Sequence, residues 1–70
     1  MTMKEIVRDN PEWTPRMQLE AWLTAVAHDA GEHANFTLAQ YGASLDDAGN
    51  VDISHMPDAD VEAIRDALMS

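Results

Sequence analysis

The chain has 70 residues, enough for one domain, and 46% of them are apolar, which favours a folded core over intrinsic disorder. It has no cysteine, which excludes disulfide bonds, thiolate metal sites and cysteine nucleophiles. Thirteen acidic residues against four basic ones give a net charge of −9, and such a surface repels nucleic acid and anionic membranes while it attracts basic surfaces.

The first predicted element is a short helix that begins after Thr2, because a threonine hydroxyl can cap the free backbone N–H groups of a helix. The helix must end before Asn10-Pro11, since proline disfavours helical backbone at the residue before it. Its apolar residues are Met3, Ile6 and Val7.

A longer helix is predicted to begin at Thr14-Pro15, because a threonine cap followed by proline at the first helical position is a typical helix start. Gly31 is its predicted end. The polar residues Glu20, Thr24 and His28 fall on one face. The apolar residues on the other face follow the i, i+3, i+4, i+7 rule and are Leu19, Trp22, Leu23, Val26 and Ala30.

Residues 33–41 fit two alternatives. The helical pattern continues toward Gly42, a residue type that often follows a helix end, and this predicts a second helical segment that is separate or kinked at Gly31. The residues from Phe36 to Tyr41 also favour a strand, because Phe, Thr and Tyr are strand formers. The helix is the preferred interpretation.

Two short alternating runs, 43–45 and 51–53, flank a loop that contains glycine, and this pattern predicts a small β-hairpin. A hairpin alone is marginal in water, so it must pack on the helices. Pro57-Asp58 then opens a final helix whose apolar face is formed by Val61, Ile64 and Leu68. We therefore predict a single α+β domain, residues 1–70, that is predominantly helical, with three to four short helices packed with one small β-hairpin.

Large aromatic residues are expected in the core, because so small a domain needs bulky side chains to fill it. Trp13, Trp22 and Phe36 are assigned this structural role.

No pattern of metal-binding or catalytic residues is complete. His28 and His33 are five residues apart and point about 140° apart on an ideal helix, so they can share a metal only if the chain breaks at Gly31. The loop 46–52 has the acids and the glycine of a calcium loop but neither its spacing nor its final glutamate. There is no nucleophile–base pair and no glycine-rich phosphate loop. We therefore expect no catalytic residue, no metal and no cofactor, and predict that the protein is not an enzyme.

The sequence contains no run of about 18 apolar residues, so no membrane span is predicted. Residues 1–9 alternate charged and single apolar residues and lack the apolar region of a signal peptide. We expect a cytoplasmic protein that does not bind membranes.

The acidic residues are unevenly distributed. Residues 36–70 hold seven acids and only one base, Arg65, whereas residues 1–35 hold six acids and three bases. On the final helix, three carboxylates recur every fourth residue, about 6 Å apart along the axis, which approaches the interval between phosphates along a nucleic-acid strand. This stripe should face solvent. The candidate partner-binding residues are these three and three more from the hairpin: Asp58, Glu62 and Asp66, with Asp46, Asp47 and Asp52.

In length, net charge and the run of seven acids between Asp46 and Asp66, the chain resembles phage-encoded inhibitors of bacterial defence, namely anti-CRISPR proteins and other DNA mimics. The resemblance implies an inhibitor in the cytoplasm of a bacterial host that binds a basic protein surface, such as the DNA-binding subunit of a CRISPR effector, and blocks target DNA there. It also implies no direct binding to nucleic acid. A monomer is expected rather than a dimer.

Two other functions remain open. The first is a helical protein–protein interaction module, antitoxin-like or a regulatory adaptor, that uses an apolar face. The second is that the acidic stripe only keeps a small protein soluble.

Overall fold

The computed structural model describes all residues, 1–70, and contains four α-helices and one two-stranded antiparallel sheet. The sheet is a hairpin in which Ser44 lies opposite Asp52 and Leu45 opposite Val51. A single 3₁₀ turn, Gly31–His33, joins the second helix to the third. The predicted fold class, a predominantly helical α+β domain, is confirmed. The elements are α1 (Met3–Asp9), α2 (Pro15–Ala30), α3 (Ala34–Ala39), β1 (Ser44–Leu45), β2 (Val51–Asp52) and α4 (Asp58–Met69).

The first two helices begin where their threonine caps predict. The Thr2 hydroxyl oxygen accepts a hydrogen bond from the Glu5 N–H at 3.2 Å, and the Thr14 hydroxyl oxygen accepts one from the Met17 N–H at 3.2 Å. Helix α2 ends at Gly31, whose φ of 57° lies in the left-handed region that glycine adopts without a Cβ clash. These local signals therefore fix both ends of α2.

The segment from Ala34 to Ala39 is helical, which decides between the two alternatives for residues 33–41. Ala34 and Leu38, one helical turn apart, are both buried against the core. The prediction for Phe36 is wrong, because its side chain is 74% exposed. Phe36 lies two residues from each buried position, which is about 200° around a helix, so its ring points away from the core.

Helix α2 lies at the centre of the fold and packs against the other three helices and β2. Trp13 and Trp22 pack at the edge of the core and are half-buried, and the Trp22 ring meets Tyr41 edge-on with 5.4 Å between ring centroids. Helix α4 packs against α2 and α1 but not against the hairpin strands. The main core consists of Met3, Ile6, Leu19, Leu23, Leu38, Ala43, Val51, Ile53, Met56 and Val61.

No helix in this structure has both the length and the apolar character that crossing a bilayer requires.

Candidate acidic interface

Helix α4 presents its carboxylates to solvent because its apolar side chains face the other way. Val61 is fully buried, and Ile64 and Leu68 are half-buried against the core. The helix begins after Pro57, and two acids, Asp58 and Asp60, occupy its first turn. Negative charge is favourable there, because the free N–H groups of a helix N-terminus carry partial positive charge.

Three of the four α4 carboxylates form an acidic stripe, Asp58, Glu62 and Asp66, that is exposed as predicted. Asp58 is 90% exposed although it pairs with Arg16 at 2.8 Å. Asp66 pairs with its neighbour Arg65 at 3.0 Å, while Glu62 makes no ion pair in the structure. Like charges four residues apart on a helix repel one another by a few tenths of a kcal/mol. The exposure of the stripe is thus confirmed, and its binding to a partner stays a prediction.

Two partly buried arginines each pair with one carboxylate of the stripe and also bind groups beneath it. The Arg16 guanidinium donates to the backbone oxygens of Ile53 at 2.6 Å and Met56 at 2.5 Å as well as to Asp58. Arg65 donates to the Gln18 side-chain oxygen at 3.1 Å, and Gln18 is itself buried. Apart from the contact between Arg65 and its neighbour Asp66, these acceptors lie 37 to 47 residues away in the chain, so no local sequence signal indicates them.

The hairpin carboxylates form a second group with a different environment. Asp46 shapes the loop, since its Oδ1 accepts from the N–H groups of Ala48 at 3.0 Å and Asn50 at 2.8 Å. Asp47 is exposed at the loop tip. The strands contact α2 and α3 rather than α4, so the hairpin carboxylates and the α4 carboxylates are held in place by different elements.

Asp52 accepts two hydrogen bonds from the turn that follows β2. Its Oδ1 accepts from the Ser54 hydroxyl at 2.6 Å and from the Ser54 N–H at 2.9 Å. These two hydrogen bonds lower the pKa of Asp52, and His55 adds a smaller effect in the same direction. This carboxylate therefore has a role in the turn that leads from β2 to α4.

The histidines and acids do not assemble into a metal site. His28 lies on α2 and His33 in the 3₁₀ turn, and both are exposed. His33 is 3.7 Å from Glu32, a contact between two neighbours at the surface. No three His, Asp or Glu side chains come together as ligands for an ion.

A cleft of about 450 Å³ runs beside the acidic stripe, between the start of α2 and α4. Two stripe carboxylates, Asp58 and Glu62, lie in its wall. Arg16 also lines the cleft and pairs with Asp58, so Glu62 is the carboxylate in its wall that makes no ion pair. Its remaining lining is formed by Thr14, Pro15, Arg16 and Val61.

Comparison with protein-family models, with curated protein sequences and with solved structures finds no match to this chain.

Proposed function

We propose that this domain is a non-catalytic inhibitor whose acidic stripe occupies the basic nucleic-acid-recognition surface of a partner protein and blocks DNA binding there. The observation that carries the proposal is the outer face of α4. It exposes Asp58, Glu62 and Asp66 at intervals of one helical turn, and Glu62 at the centre makes no ion pair.

The spacing of the stripe suits a surface that binds phosphates. Residues four apart on an α-helix rise by about 6 Å, so the stripe repeats negative charge at an interval similar to that of a nucleic-acid backbone. Lysine and arginine side chains that neutralise phosphates would meet carboxylates instead. Glu62, which has no ion pair and lies in the wall of the cleft, is the central contact in this proposal.

The partner we propose is the DNA-binding subunit of a bacterial defence complex of the CRISPR type, as the sequence resemblance implies. Such subunits hold nucleic acid in positively charged channels. An acidic domain with a net charge of −9 is attracted to a channel of this kind from a distance, which raises the association rate and makes binding sensitive to salt.

The test is capture of partners from a bacterial lysate by the immobilised protein at about 0.1 M and about 0.5 M salt, between which the Debye length falls about twofold. The variant E62Q/D66N removes two charges from the stripe and leaves the Arg16–Asp58 pair intact. The control D29N/E32Q removes the same two residue types from exposed positions at the end of α2 and in the 3₁₀ turn. We expect the stripe variant to lose the captured partner and the control to keep it.

The captured partner must also bind DNA and release it when the domain is added. Capture that is equal for the two variants would show that the stripe only solubilises the protein. Capture that survives about 0.5 M salt would favour an apolar interface instead, because screening removes exposed charge attraction at that ionic strength.

A further inference from the structure

A shallow groove on the solvent side of α2 lies apart from the acidic stripe. It has a volume of about 390 Å³ and is open to solvent along the first half of the helix. This is near the lower end of the range of roughly 300–1,000 Å³ found for ligand sites. We call it the Trp13 groove; it is lined by Trp13, Met17, Glu20, Ala21 and Thr24.

The lining of the groove is mostly apolar. Met17 is 49% exposed and is one of three large apolar side chains that the fold leaves in solvent. Trp13 packs one part of its ring against the core and leaves the rest accessible. A flexible thioether and a tryptophan ring are the side chains that protein interfaces favour, because they bury large apolar area and adapt to the partner.

The groove has one ionisable lining residue, Glu20, and no base of this chain neutralises it. Arg8, Arg16 and Arg65 are each paired with another acid, and Lys4 makes no ion pair. The Thr24 hydroxyl donates to the backbone oxygen of Glu20 at 2.8 Å and is therefore not available to the Glu20 carboxylate as a donor. An occupant that brings a lysine or arginine would therefore complement the charge at this rim.

We propose that the Trp13 groove binds a short amphipathic segment of a partner protein. The segment places a bulky apolar side chain on Trp13 and Met17 and a lysine or arginine beside Glu20. This site is independent of the acidic stripe, and it holds whether or not the stripe binds a partner. An acidic segment is repelled by the net charge of −9.

A second copy of the chain is an unfavourable occupant. Its exposed Met1 lies near Lys4, but each copy carries a net charge of −9, so two copies repel one another. This argument favours a different protein as the occupant.

The test uses the full chain with the substitution W22F, which leaves Trp13 as the one tryptophan, and a short amphipathic peptide of leucine and lysine as the probe. Binding should shift the Trp13 emission to the blue, because an apolar side chain replaces water at the indole. A peptide with glutamate in place of every lysine should not bind. A melt followed by circular dichroism checks that each variant remains folded.

Matched variants distinguish peptide binding in the groove from non-specific attraction of the basic peptide to the acidic protein. M17A should weaken peptide binding about tenfold, as is typical of an anchor residue, whereas F36A, which shortens the other large exposed apolar side chain within an α-helix, should not change it. E20Q should weaken binding about threefold, in line with an exposed ion pair, and more than E32Q, which removes the same charge elsewhere.

The stripe variant E62Q/D66N, in the same W22F background, should bind the peptide as tightly as the W22F protein alone. This comparison distinguishes a failure of the groove proposal from a failure of the proposed function. Equal effects of M17A and F36A, equal effects of E20Q and E32Q, or an unchanged Trp13 emission would each overturn the groove as the binding site. Self-association that is detected by light scattering and abolished by M17A would replace the partner segment with a second copy.

Discussion

Helices α2 and α4 pack against each other, but they contribute different numbers of fully buried residues to the core. Helix α2 buries Leu19 and Leu23 completely and contacts every other helix, whereas α4 buries only Val61 completely. The exposed face of α4 carries the acidic stripe, and the exposed face of α2 carries the Trp13 groove. The comparison teaches that α2 supplies more of the fully buried core, while α4 contributes one apolar face to the core and carries its like charges on the opposite, exposed face.

The comparison predicts first that the same truncation is far more costly in α2 than in α4. L23A removes a fully buried side chain and should lower the free energy of unfolding by about 2–5 kcal/mol. L68A, at a half-buried position of α4, should cost less than half as much. Urea unfolding followed by circular dichroism measures both. Equal losses would mean that α4 shares the core equally with α2.

The next largest effect concerns Arg16, which links the two helices. R16M removes the side-chain donor to the Met56 oxygen and one of two donors to the Ile53 oxygen, which also accepts from the Met56 N–H. A part-buried acceptor left without a partner costs about 1–3 kcal/mol. The control is R8M, because Arg8 is exposed and pairs only with its neighbour Asp9. Thermal melts of both variants should show a lower Tm for R16M alone. An unchanged Tm for R16M would contradict the linking role.

The smallest effect belongs to Asp52, in the turn before α4. The hydrogen bonds from Ser54 lower the pKa of this carboxylate, so its stabilising contribution is present above the unfolded-state pKa of about 3.9 and is lost as the pH falls through the lower folded pKa. D52A should therefore lower Tm slightly at neutral pH, and the difference from the wild type should shrink in acid. A difference that stays constant down to the lowest pH would rule out the ionised carboxylate as its source.

The fold could be predicted from the sequence wherever a signal is local. Thr2, Thr14-Pro15 and Gly31 gave helix ends that agree with the structure, because each acts on backbone groups within four residues of itself. The hairpin followed from the glycine-containing loop for the same reason. The exposure of the acidic stripe could also be predicted, since it follows from the angle between Glu62 and the buried Val61 on one helix.

Features that depend on distant contacts could not be predicted. The sequence alone offers no reason to place Arg16 beneath the backbone of residues 53–56. Phe36 was assigned to the core because it is large, and only the register of Ala34 and Leu38 shows that it faces outward. The division of the six carboxylates into two groups likewise depends on where the hairpin packs, which the order of residues does not specify.

The contacts of Arg16 also have a consequence for the order in which the chain acquires its structure. They close loops of 37 to 42 residues, whereas the caps of α1 and α2 close within three. On a ribosome, Arg16 emerges long before the residues that it will bind, and its guanidinium stays hydrated until the C-terminal third of the chain has been synthesised. Since contacts of high sequence separation form late, we expect the docking of α4 to be among the last steps of folding.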